Sequence, residues 1–111
     1  RRAGAAVEAA LPGARICAFG HLGDGNIHFN VSQPVGADRA AFLAEWERCN
    51  RIVHDIVAAL NGSFSAEHGI GRLKRAELRR YRSPVAIDAM RRIKRALDPR
   101  GILNPGAVLP D

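Results

Sequence analysis

The chain has 111 residues, 47% hydrophobic and 25% charged, an ordinary globular composition long enough for one domain at most. Its net charge of +6 rests mainly on arginines, without the series of interleaved aromatic residues that would make stacking platforms. That pattern argues against a single-strand nucleic acid platform and for a solvated or interdomain basic surface. No signal peptide or apolar run of membrane length occurs, and Cys17 and Cys49 form no CxxC pattern. Two buried thiols in a reducing, cytoplasmic setting are therefore expected.

Residues 3–10 read as an alanine-rich helix stopped by Pro12-Gly13. Arg15 to Phe19 reads as a strand, and Ile27 to Val31 alternates as a second strand after a glycine-rich turn. Gln33 to Gly36 is a loop. From Ala37 to Leu60 the apolar residues Phe42, Trp46, Cys49, Val53, Ile56 and Leu60 recur at helical spacing. This predicts one long amphipathic helix with Trp46 packed in the core and His54 structural or solvent-facing. Asn61-Gly62 suits a left-handed cap. Ser63 to Ala66 is a short predicted strand and Glu67 to Gly71 a loop, followed by a basic helix from Leu73 to about Tyr81. Ser83 as N-cap and Pro84 at the first helical position open a helix through Leu97, with Val85, Ala89, Ile93 and Leu97 as its apolar face. Asp98-Pro99 stops it, and the tail from Gly101 to Gly106 is irregular. The order of elements predicts an α+β fold, an antiparallel sheet with helices on one face.

The segment from Gly20 to Asn30, Gly-His-Leu-Gly-Asp-Gly-Asn-Ile-His-Phe-Asn, is the richest in chemistry. With Asp24-Gly25 as a two-residue hairpin loop, His21 pairs directly with His28, and Asn30 lies on the same face. Two imidazoles so placed can converge on one metal ion. Glu67 and His68 follow the short strand and precede Gly69 and Gly71, where the backbone can turn sharply. Adjacent strand residues face opposite ways, so Glu67 and His68 have different roles unless that turn reorients one of them. Two neutral imidazoles and one carboxylate form a three-ligand set of the kind that holds a catalytic divalent metal. Zn²⁺ fits by ligand type, with Mn²⁺, Fe²⁺ and Co²⁺ also compatible. The remaining histidine is left to handle protons.

The Gly20–His28 motif, the Glu67-His68-Gly69-Ile70-Gly71 motif, and Leu97-Asp98-Pro99 followed by Leu103-Asn104-Pro105-Gly106 occur in order from about Phe19 to Val108. Together they resemble the C-terminal part of the FAD-linked oxidase family. That family includes D-lactate dehydrogenases, the glycolate oxidase FAD subunit and D-2-hydroxyglutarate dehydrogenases, within the vanillyl-alcohol oxidase superfamily. The resemblance implies that His21, His28 and Glu67 are metal ligands, Asn30 contacts substrate, His68 is the catalytic base and Asn104 lies beside the flavin. It implies a ferredoxin-like substrate-capping domain, of which this chain is a truncated part. It also implies FAD held mainly by an N-terminal domain absent from these residues, a small 2-hydroxy acid as substrate, and an unassigned electron acceptor. A homo-oligomer is compatible with it. Ala107 departs from the pattern, standing where many relatives carry lysine. The chain opens Arg1-Arg2 without an initiator Met and reads as a soluble fragment, inactive alone. Two other readings of the same residues are a stand-alone metal-dependent hydrolase and a non-catalytic basic interaction module.

Overall fold

The structure, a computed structural model, describes residues 1–110. Its elements run α1 (Arg2–Ala10), β1 (Arg15–His21), β2 (Asn26–Ser32), α2 (Arg39–Ala44), α3 (Trp46–Ala59), α4 (Arg75–Tyr81) and α5 (Pro84–Leu97). Among the described residues the helices and one two-stranded antiparallel sheet make the chain α+β, as the order of elements predicts. Among the described residues no helix is long and apolar enough to cross a membrane. The chain divides into two compact units, Arg1–Ala66 and Glu67–Asp111. The first carries as many acidic as basic residues, so the whole of the +6 charge falls on the second.

In the first unit α1 packs against α3, and Val7 is its fully buried anchor. β1 and β2 pair antiparallel from Arg15↔Ser32 to His21↔Asn26. Leu22 to Asp24 form a 3-10 turn closed by Gly25, whose φ of 66° is left-handed and whose N–H donates to the Leu22 carbonyl at 3.2 Å. The loop is thus longer than the two-residue Asp24-Gly25 turn, and the register moves by two positions. Gly20 makes that register possible. A Cβ there would sit 2.2 Å from the Asn26 carbonyl oxygen and 2.9 Å from Ile27 Cα, both backbone atoms that cannot swing aside. Gly20→Ala is expected to destabilise the first unit by about 1–3 kcal/mol, the usual cost of overpacking. Gly25→Ala meets open space, so it carries only the left-handed backbone penalty of roughly 1–2 kcal/mol. Thermal unfolding of the two variants checks the order: Gly25→Ala falling further than Gly20→Ala contradicts this account of the hairpin.

The single long helix expected over 37–60 is two helices. Asp38 caps α2 by accepting the Ala41 N–H at 2.7 Å, and Glu45, with ψ near 1°, separates α2 from α3. The Glu45 N–H turns to the Phe42 carbonyl, three residues back, instead of continuing the four-residue ladder. That tightening resets the phase, and Trp46 leaves the stripe to lie 62% exposed instead of in the core. Asn61 takes the left-handed conformation expected of it, φ 57°, and His54 packs its ring against Phe64 at 5.2 Å. Cys17 is exposed, against the expectation of two buried thiols, because it lies on an open face of the hairpin. Cys49 is half-buried, and desolvation raises its thiol pKa. Ser63 to Ala66 form no strand. Ser63 and Ser65 join through their hydroxyls at 2.8 Å and bend the segment into a turn that ends with Ala66 at φ 46°.

In the second unit Ser83 caps α5 by accepting the Ala86 N–H at 3.2 Å, with Pro84 at its first turn, as read from the sequence. The buried side of α5 is the surprise. Ile87 and the following Asp98 are buried, whereas Val85 is 79% and Leu97 77% exposed. The face expected to be core points outward, because the tail claims the opposite side. Arg75 Nε donates to the Leu109 carbonyl at 2.7 Å and Arg91 to that of Pro110 at 2.9 Å. The Val108 N–H reaches the Gly71 carbonyl at 2.7 Å.

Candidate functional site

The shifted register places His28 directly across from Phe19 and His21 across from Asn26. The expected direct pairing of His21 with His28 is therefore corrected. The shift is by an even number of positions, however, so the facing is preserved. Cys17, Phe19 and His21 on β1 share one face with Asn26, His28 and Asn30 on β2. His21 and His28 become diagonal neighbours, a relation with a spacing of roughly 7–8 Å that long side chains bridge. The Phe19 and His28 rings stack at 5.1 Å and 8°, which fixes the plane of the His28 imidazole.

Asp24, read from sequence only as a turn residue, gains a second aspect. Its Oδ2 lies 3.9 Å from His21 Nδ1, too far for a direct hydrogen bond but on the side where a carboxylate commonly orients a ligating imidazole. Asn30 lies two residues beyond His28 on the same face and is exposed.

In the second unit Glu67 and His68 sit in a turn. Their side chains do not diverge as strand neighbours would. Glu67 Oε1 is 3.7 Å from His68 Nε2, and both side chains are solvent-accessible. The turn supplies the reorientation that a strand reading lacked, and Gly69 (φ 76°) and Gly71 (φ 56°) carry the chain out of it through left-handed conformations.

Asp98, read from the sequence as a helix stop and as part of the Leu97-Asp98-Pro99 motif, organises the tail. It is 6% exposed. Its Oδ1 accepts the Ile102 N–H at 3.0 Å, and its Oδ2 accepts the Leu103 N–H at 2.9 Å together with the Lys94 ammonium. Lys94 Nζ also donates to the Leu103 carbonyl at 2.5 Å. Asn104 follows with φ 45°, and its carbonyl accepts the Ala107 N–H at 3.3 Å. Asn104 lines a cleft of about 340 Å³ with Arg75, Arg91, Lys94 and Arg95. An aspartate next to proline, with glycine three residues on, was the sequence signal for a side chain that holds a tight loop.

The Lys94 hydrogen bond, aided by the Leu103 and Ile102 amides, lowers the Asp98 pKa against the opposing pull of burial. A depressed carboxylate contributes stability that is complete above its unfolded value, about 3.9, and is lost as pH falls through the lower folded value. Acid is thus expected to loosen the 101–106 loop below the ordinary carboxylate range. Asp98→Asn is expected to remove that acid dependence, as read by amide exchange at Ile102 and Leu103. An unchanged acid response in Asp98→Asn would show that another group governs the loop.

The family model for FAD linked oxidases, C-terminal domain, matches residues 1–108. The chain is 43% identical over 97 residues to a D-2-hydroxyglutarate dehydrogenase of Stutzerimonas stutzeri, covering 87% of this chain and 21% of that protein. It is 42% identical over 97 residues to the mitochondrial D-2-hydroxyglutarate dehydrogenase of Arabidopsis thaliana, covering 87% and 16%. With a D-2-hydroxyglutarate–pyruvate transhydrogenase of Saccharomyces cerevisiae it shares 41% identity over 103 residues, 93% of this chain and 20% of the relative. The chain therefore spans about a fifth of the length of the curated relatives it matches. A match along nearly every residue, carrying the histidine hairpin and the Asn-Pro-Gly tail together, shows that this chain belongs to the FAD-linked oxidases through their C-terminal domain.

Proposed function

We propose that this chain is the C-terminal part of an FAD-dependent, metal-assisted dehydrogenase that oxidises a small D-2-hydroxy acid to the 2-oxo acid. D-2-hydroxyglutarate, which the relatives' names carry, is the first substrate to test. The observation that carries the reading is the hairpin face of a family-matched chain, holding two imidazoles and the Asn30 amide together. In the full-length protein the preceding residues supply the FAD-binding domain and the further strands of a ferredoxin-like capping layer. The outward apolar face of α5 supports that division, since exposed apolar stripes mark surfaces that other protein covers.

His21, His28 and Glu67 are the proposed metal ligands. The donor chemistry fits a divalent ion: two imidazoles and one carboxylate, His21 and Glu67 exposed and His28 half-buried. Such an ion, when bound, supplies Lewis acidity that eases ionisation of a hydroxyl group. His68 accepts the proton of the substrate hydroxyl, and Asn30 hydrogen-bonds and orients the substrate. FAD, held mainly by the preceding domain, supplies the hydride acceptor, and Asn104 lies beside it. The cationic second unit favours approach of an anionic substrate.

The test is purification of the full-length protein and titration with D-2-hydroxyglutarate, D-lactate and glycolate under anaerobic conditions. Bleaching of the flavin absorbance by one of these acids is the expected result. A protein that retains no flavin, or flavin that none of the acids reduces, contradicts the proposal.

A further inference from the structure

Leu103 is the residue before Asn104, and the structure holds both of its peptide planes. Its N–H is fixed by Asp98 Oδ2 at 2.9 Å and its carbonyl by Lys94 Nζ. The carbonyl of residue 103 and the N–H of residue 104 belong to one rigid amide plane, so Lys94 sets the direction in which the chain enters Asn104. On the other side, the Asn104 carbonyl accepts the Ala107 N–H at 3.3 Å and closes the Asn-Pro-Gly turn. Between these restraints Asn104 is held at φ 45°, a left-handed conformation that a free asparagine visits only part of the time.

We propose that Asp98 and Lys94 are positioning residues: a buried carboxylate–ammonium clasp that sets the backbone of Asn104 and so the placement of its side chain at the cofactor. This deepens the proposed function and rests on its assignment of Asn104 to the flavin. Three features favour positioning over mere helix termination. Asp98 is buried with both oxygens engaged, one on each of two consecutive amides. Lys94 and Asp98 stand one helical turn apart, so the last turn of α5 and the residue that ends it carry the two halves of the clasp. Lys94 spans from that carboxylate to the very carbonyl that leads into Asn104. A helix stop alone needs neither the lysine nor the second amide.

The test is a double-mutant cycle in the full-length holoenzyme, with Asp98→Asn, Lys94→Met, Asn104→Ala and the two combinations that include Asn104→Ala. The readouts are the flavin absorbance maximum, the flavin midpoint potential, and kcat against KM. Each single variant is expected to move the flavin band and potential in the same direction and to lower kcat roughly tenfold to a hundredfold, the scale of a misplaced reacting geometry. KM is expected to change little, and Lys94→Arg, which keeps a cationic donor, to recover most of the loss. Each combination is expected to match Asn104→Ala alone, because the clasp acts through that residue. Additive losses overturn the proposal, as does an Asp98→Asn or Lys94→Met variant whose only change is a lower Tm. If Asp98→Asn does not fold, Lys94→Met decides alone, since it leaves the carboxylate on both amides. An Asn104→Ala holoenzyme with unaltered flavin properties and kcat overturns the flavin assignment itself. A normal Asn104→Ala effect with additive clasp variants overturns only the clasp.

Discussion

Replacing His28 with alanine is expected to strip the divalent ion from the full-length protein. The metal content after dialysis should fall to background, and the dissociation constant should rise by roughly a hundredfold or more, beyond the range for losing an orienting partner. Among the proposed ligands, His28 has its ring held flat on Phe19 at 5.1 Å. Phe19→Ala keeps all donors but frees that ring, so a smaller loss of roughly tenfold is expected, comparable with loss of an orienting neighbour. His54→Ala controls for histidine removal as such, since His54 packs on Phe64 in the helical part of the first unit. Elemental analysis and competition with a chromophoric chelator read all three. Full metal retention in His28→Ala would remove the hairpin from the ligand set.

His68→Ala is expected to behave in the opposite way, keeping the metal and losing the chemistry. Removal of a general base lowers kcat by roughly 10²–10⁴-fold. Glu67 and His68 lie side by side with 3.7 Å between Oε1 and Nε2, so each could be mistaken for the other's role. The pair of variants separates them: Glu67→Gln should lose metal, His68→Ala should not. The reverse outcome would exchange their roles.

Much of the geometry of the candidate site was legible in the sequence, and the reasons differ from residue to residue. The alternation through β2 and the strand before the Gly-rich turn located the hairpin. The turn dipeptide Asp24-Gly25 suggested the wrong register, because the preceding Leu22-Gly23-Asp24 prefer a 3-10 turn with Gly25 as its left-handed end. The facing of His21, His28 and Asn30 survived that error because side-chain direction in a strand depends only on odd or even displacement. The Ser83-Pro84 start of α5 was readable because capping is local chemistry. The buried face of α5 was not, because periodicity says that a stripe is apolar and not what covers it. Trp46 failed for a related reason: a single tightened turn at Glu45 breaks a periodic pattern that looks continuous on paper. Asp98-Pro99 with Gly101 signals a tight loop, but that spacing does not say which amides the carboxylate meets, and its part in holding the tail was missed for that reason.

Metal-edge X-ray absorption on the Zn²⁺-loaded full-length protein probes the ligand set most directly. The account predicts one ion per chain with two imidazole nitrogens at about 2.0–2.1 Å and carboxylate oxygen completing the protein donors. The imidazole scattering should diminish in His21→Ala and His28→Ala and stay intact in His68→Ala. A shell of oxygen donors alone, or imidazole scattering that vanishes with His68 and persists without His28, would contradict it.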